Sequence, residues 1–149
     1  MKIIYVAGPF RGANTWEIEQ NIRRAEAVAL AAWKTGGTAV ICPHANTRFY
    51  QGAAPDDTWL KGDLEFVRRS DAVLTTPDWQ RSVGARGEVD LANTLHLPVF
   101  HAYLICGEPR LPASFLVWVA QAPPDVHTRG QVRTWCDYDF DCYSWPWPS

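Results

Sequence analysis

Short apolar runs alternate, over the first hundred residues, with longer stretches whose apolar positions recur at helical spacing. The run KIIYVA at 2–7 is β-rich and closed by Gly8-Pro9, which reads as a buried strand. Asn14, followed three residues on by Glu17, resembles a capping box. Ile18, Ile22, Ala25, Ala29 and Ala32 then share one helical face until Gly36-Gly37 ends the helix. TAVIC at 38–42 is the second strand, and a polar loop bearing Gly and Pro runs from it to about Asp57. TWLKGDLEFVRR (58–69) is the next helix. DAVLTT (71–76) and PVFHA (98–102) are the third and fourth strands, with a helix beginning near Gly84 between them.

Strands alternating with helices predict an α/β fold, a Rossmann-like (flavodoxin-like) parallel sheet flanked by helices, as a single domain over residues 1–149. In such sheets ligands sit at the carboxyl ends of the strands, so loops 8–14, 43–57 and 77–83 are expected to form the site. Beyond Tyr103 the pattern weakens. PASFLVWVAQA (112–122) reads as a last helix and QVRTW (131–135) as a last short strand. From about 136 the tail, CDYDFDCYSWPWPS, is rich in aromatics and proline, and exposed Trp is costly enough that it is expected to be pinned to the body or to another subunit.

Composition narrows the function. A chain of 149 residues buries roughly two-thirds of its unfolded surface without staples. A net charge of −2 with no long basic run argues against nucleic acid as partner and for a small molecule. No apolar run approaches the ~18 residues of a membrane span, and MKIIYVAGPFRG is broken by Gly-Pro too early for a signal peptide, so a cytoplasmic protein is expected. The cysteines at 42, 106, 136 and 142 are then expected to be reduced thiols. Cys42-Pro43-His44 lacks the cysteine spacing of a zinc site, and no metal is expected.

Two acids stand where helices should bury apolar surface. Glu88 heads a stripe with Leu91, Ala92 and Leu95; the ordinary alternative is a first-turn acid offsetting the helix dipole. Asp63 falls inside the arc of Trp59, Leu60, Leu64, Phe66 and Val67. Its ordinary alternative is a cap or a salt bridge to Arg68, Arg69 or Arg86. Burial raises a carboxyl pKa toward values useful for proton transfer, and two carboxylates at one mouth of a sheet are the equipment for breaking a glycosidic bond. The flanking loops suit an anion: GPFRG (8–12) carries Gly8 and Arg11, and SVGARG (82–87) places Ser82 and Gly84 before the Glu88 helix. Neither is a Walker A or a GxGxxG fingerprint, which counts against ATP and dinucleotides.

YVAGPFRG, DLEFVRRSDAV and SVGARGE, with its Ser-x-Gly-x-x-x-Glu spacing, resemble the nucleoside 2-deoxyribosyltransferase superfamily. Within it they are similar to the 2'-deoxynucleoside 5'-monophosphate N-hydrolases and to related phage and bacterial proteins. The likeness covers about residues 3–100. It implies that Glu88 is the nucleophile at the anomeric carbon, that Tyr5 positions its carboxylate, and that Asp63 contacts the sugar and assists departure of the base. It further implies that Gly8, Arg11, Ser82 and Gly84 bind phosphate and that His44 lines the pocket. Family members complete the site from a neighbouring subunit, which makes a homodimer or higher homo-oligomer the expectation, with Ser114 the first candidate for that residue and Asn93 a poorer one. Tyr5 also fits an ordinary core position, and His44 an ordinary loop cap.

The expected reaction is a retaining displacement on a (deoxy)nucleoside 5'-monophosphate, with Glu88 forming a glycosyl-enzyme that water resolves and with no cofactor. Pro9, where the monophosphate hydrolases carry a serine, looks more like the transferase branch. Base exchange by a nucleoside 2-deoxyribosyltransferase, on nucleoside substrates, therefore remains an alternative, as does a catalytically inactive nucleotide-binding or interaction protein.

Overall fold

The computed structural model describes residues 1–121. Strands β1 (Lys2–Ala7), β2 (Thr38–Ile41), β3 (Ala72–Thr75) and β4 (Val99–His101) form one parallel sheet in the order β2-β1-β3-β4. Tyr5 stands opposite Ile41 on one side and Val73 on the other, so β1 is an inner strand. The helices are α1 (Thr15–Trp33), α2 (Pro43–Asn46), α3 (Asp56–Arg68), α4 (Val83–Thr94) and α5 (Ala113–Ala120), and a 3₁₀ turn at Trp79–Arg81 leads into α4. This is the Rossmann-like parallel sheet, and its strand order is that of the flavodoxin-like arrangement, whose crevice opens between β1 and β3.

Alternation along the strands sorts side chains between two cores. Ile4 and Val6 pack with Ala25, Val28 and Ala29 of α1 and with Phe115 and Val119 of α5. Tyr5 and Ala7 turn to the opposite face, against Val67 of α3 and Ala85, Val89 and Ala92 of α4. Both faces are covered, which is why the strands read as unbroken apolar runs. At the end of α1 the chain reverses through Gly36 and Gly37, with φ of 72° and 71°. Among the described residues no helix is long and apolar enough to cross a membrane.

Several local expectations need correction. The loop after β2 contains a turn of helix, α2. The stripe that α4 buries is Ala85, Glu88, Val89 and Ala92 rather than Glu88, Leu91, Ala92 and Leu95. The helix stops at Thr94, so Leu95 caps it and is 41% exposed. On α3 only Val67 is fully buried; Leu60 and Phe66 are exposed, because most of that apolar arc faces a cleft or solvent rather than the core. After Tyr103 there is an antiparallel hairpin of β5 (Tyr103–Ile105) and β6 (Glu108–Arg110). Its two-residue loop, Cys106-Gly107, has φ of 51° and 81°, the left-handed pair that matches strand twist. The strand expected at 131–135 and the aromatic tail lie outside the described residues, as do Cys136 and Cys142; Cys42 and Cys106 are free thiols.

Gly8, at the end of β1, is required by packing. A Cβ there would stand 2.6 Å from Cγ2 and 2.7 Å from Oγ1 of Thr76, a buried residue at the end of β3. Gly8→Ala is expected to cost about 1–3 kcal/mol by overpacking. In a Thr76→Ala background the same substitution should cost clearly less, because only the 3.2 Å approach to the Cβ of residue 76 remains; thermal denaturation of the four proteins checks this.

Candidate active site

The loops that leave β1, β2 and β3 meet over the carboxyl end of the sheet, and with α1, α3 and α4 they enclose a cleft of about 950 Å³. Glu88 lies at its buried side. It is the sixth residue of α4, past the first turn, and is 7% exposed, so the dipole explanation does not apply. Tyr5, reaching from β1 on the α4 face, donates its hydroxyl to Glu88 Oε1 at 2.8 Å in a fully buried bond. The carboxylate makes no other hydrogen bond among the described residues, which leaves Oε2 for the cleft.

Burial pushes the Glu88 carboxyl up to about 7, against the Tyr5 hydrogen bond, which favours the ion; the charge of Asp63 adds to the rise. Asp63, from α3, lines the same cleft and is raised by burial to about 6. The alternative of a salt bridge is gone: Arg68 and Arg69 bond to Glu65, and Arg86 donates to the carbonyl of Gln80. Tyr5 is held well above its ordinary value, first by burial and then by the two acids, and stays a donor. The cleft thus holds two carboxyls whose affinity for protons is raised by burial toward neutral pH.

The loop between β1 and α1 has no regular structure and is fixed by side chains. Asn21, 7% exposed on α1, donates to the carbonyls of Phe10 at 3.3 Å and Arg11 at 2.9 Å. Arg24 bonds back to Asn21 Oδ1 and pairs with Asp78 at 3.5 Å. His44 Nε2 is 3.2 Å from the Gly8 carbonyl and 3.1 Å from that of Pro9; both accept, so Nε2 carries the proton and donates. Burial lowers the pKa of His44, and its Nδ1 is buried without a partner among the described residues. His44 thus both lines the cleft and ties down the loop.

The other expected residues fall in different places. Ser82 caps α4, its Oγ accepting from the Ala85 N–H at 3.2 Å, and Gly84 lines the cleft from the first turn, where a Cβ would stand 3.4 Å from Leu60 Cδ2. Gly8 lines the cleft too, although its small size serves the contact with Thr76. Arg11 reaches the cleft but its guanidinium is paired with Asp56, the first residue of α3. Ser114 is exposed on α5, on the other face of the sheet, and does not line the cleft of its own chain; nor does Asn93, exposed on α4. Asn21, Arg24 and Asp56 were not singled out from sequence. Asn21 carries a readable signal, a polar residue on the buried stripe between Ile18 and Ile22; Asp56 looks like any first-turn acid.

Fold and cleft together define an α/β domain with a crevice at the point where its strand order reverses and a pair of carboxyls inside. The chain belongs to the family described as a domain of unknown function, DUF4406, whose model matches residues 2–101. That span ends with β4 and takes in every residue lining the cleft, while the hairpin and α5 fall outside it. Comparison with curated proteins gives no match.

Burying Glu88 has a cost that depends on pH. Its folded pKa, about 7, lies above the ordinary 4.5, so the stability cost is absent below about pH 4.5, grows as pH rises to about 7, and is constant above. Glu88→Gln, which is neutral throughout and still accepts from Tyr5, should be more stable than wild type at pH 8 by up to about 3 kcal/mol. The gain should vanish at pH 4, as followed by Tm at the two pH values.

Proposed function

We propose that the protein is an N-glycosidase that breaks the base–sugar bond of a (deoxy)nucleoside 5'-monophosphate with Glu88 as nucleophile. The observation that carries this reading is the buried Tyr5–Glu88 hydrogen bond at a cleft that also holds Asp63. Tyr5 fixes Oε1 and favours the ionised form, so Oε2 is presented as an oriented carboxylate at the buried side of the cleft. Among the residues that bear the resemblance to the nucleoside 2-deoxyribosyltransferase superfamily, Gly8, Arg11, Asp63, Ser82, Gly84 and Glu88 line the cleft, and Tyr5 stands behind Glu88.

The reaction then runs in two displacements. Oε2 of Glu88 attacks C1' through an oxocarbenium-like transition state; the C–N bond breaks, and the departing base takes a proton from Asp63 or solvent. A glycosyl ester of Glu88 remains. Water attacks C1', gives its proton to the Asp63 carboxylate, and releases the sugar phosphate and the free Glu88 carboxylate. With Glu88 raised to about 7 and Asp63 to about 6, a single proton resides first on Glu88, so ligand binding has to shift it toward Asp63 before the attack. Ser82, the N–H groups opening α4, and Arg11 supply binding energy at the phosphate, away from the reacting carbon.

Two observations favour a second reading, base exchange between unphosphorylated nucleosides: Pro9 removes an N–H from the loop that would cradle a phosphate, and Arg11 is already paired with Asp56. Incubation of a deoxynucleoside with a foreign base separates the two, because a transferase makes the new nucleoside without net hydrolysis.

Glu88→Gln is expected to fold and to lose at least ~10³-fold in release of free base, followed by HPLC across the common nucleosides and 5'-monophosphates. Near-normal turnover in this variant would remove Glu88 as nucleophile. Binding of monophosphates by wild type with no base released at high enzyme concentration would point instead to a nucleotide-binding protein.

Asp63→Asn should keep its fold, since shape is preserved and a buried charge is removed. Its turnover should fall most for poor leaving bases and least for activated ones. An equal fall across leaving groups would assign Asp63 to holding the sugar.

A further inference from the structure

Each of the three arginines that line the cleft lies within 4 Å of an acid, two of them sharing one carboxylate. Arg11 pairs with Asp56; Arg24 and Arg81 approach Asp78 at 3.5 Å and 3.9 Å, and Arg24 is also bonded to Asn21. Along the lining, three arginines face four carboxyls, Glu17, Asp56, Asp63 and Glu88. Asp78 is fixed from a second side by the Thr76 hydroxyl. Asp56 has no such second side-chain bond among the described residues.

The Arg11–Asp56 pair bridges the mouth, from the β1–α1 loop to the first residue of α3. Asp63 lies two helical turns, about 10 Å, further along the same helix, with the reacting carboxyls beyond the mouth. Both partners are about 60% exposed, with side-chain values of 63% and 62%, so the pair is weakly held and open to exchange. Asp56 released from Arg11 would still sit at the amino end of a helix of 13 residues, where a negative charge is favoured.

We infer that Asp56 is a specificity-determining residue: its carboxylate occupies Arg11 as an internal counter-anion, and the phosphate of a sugar-phosphate ligand must displace it. This rests on the glycosidase reading for the identity of the ligand. Wild-type protein pays for the exchange only when the ligand carries a phosphate, so Asp56 narrows the preference for 5'-monophosphates over nucleosides. Specificity is a difference of affinities, and a group competing for the recognition element reduces it as surely as a lost contact.

The test is calorimetric titration of the full chain with 2-deoxyribose 5-phosphate, with 2-deoxyribose as the uncharged control. Asp56→Asn should bind the phosphate ester roughly 3- to 10-fold more tightly, with a gain that shrinks as salt rises. Arg11→Ala should bind it about 10- to 100-fold more weakly. In the Arg11→Ala background, Asp56→Asn should add less than about 2-fold, and 2-deoxyribose should not distinguish the proteins. Equal affinity of wild type and Asp56→Asn for the ester overturns the inference, as does a gain that persists without Arg11, which would be a general charge effect. Base release is measured on the same proteins. If none is detected while the Arg11-dependent gain is present, the glycosidase reading falls and competition at Arg11 stands. If base is released and Asp56→Asn changes neither affinity nor the monophosphate-to-nucleoside ratio, the reverse holds.

Discussion

The hydrogen bond from Tyr5 to Glu88 joins the inner strand of the sheet to the helix that follows β3, and it places a carboxylate where the fold would otherwise bury apolar surface. Burial raises the cost of ionising Glu88, and the tyrosine hydroxyl offsets part of that cost by stabilising the anion. The result is a carboxyl poised near neutrality rather than fully ionised or locked neutral. Replacing both partners by apolar groups of similar shape would give a better-packed core and an empty-handed cleft.

The surroundings of that bond divide into a rigid side and an exchangeable side. The rigid side is the β1–α1 loop, which lacks ladder or helix bonds of its own yet is held by Asn21 through two carbonyls and by His44 through two more. Gly8 adds a close contact with Thr76, so the first turn of the loop has little freedom. The exchangeable side is the exposed mouth, where Arg11 and Asp56 meet in water-accessible contact. Buried hydrogen bonds to backbone fix geometry, while an exposed ion pair is the kind of contact a ligand can replace.

The polar side chains that organise the cleft share one trait. Glu88, Asn21 and His44 are each at most 7% exposed, and each bonds to a residue remote in sequence. Glu88 and Asn21 interrupt an apolar helical stripe and so stand out in the sequence. His44 does not, because it sits in a single turn of helix too short to establish a stripe.

The sequence by itself determined the parallel sheet, the order of its elements and the end of the sheet at which the cleft would open, because strands buried on both faces must be continuously apolar and the connecting helices must be amphipathic. It also marked Glu88 and Asp63, since an acid on an inward face breaks a period that local physics otherwise enforces. Only the tertiary structure decided what those acids touch. Tyr5 is 83 residues from Glu88, and whether its ring is ordinary core or a partner for a carboxylate depends on which strand face meets α4. The apolar arc of α3 was legible as a pattern but not as a cleft wall, because hydrophobic periodicity records a helical face without saying whether protein or ligand lies against it. Arg11 and Asp56 show the same limit for charge. Arg11 reads as an anion ligand and Asp56 as any first-turn acid, and their pairing exists only because the fold brings the two segments together.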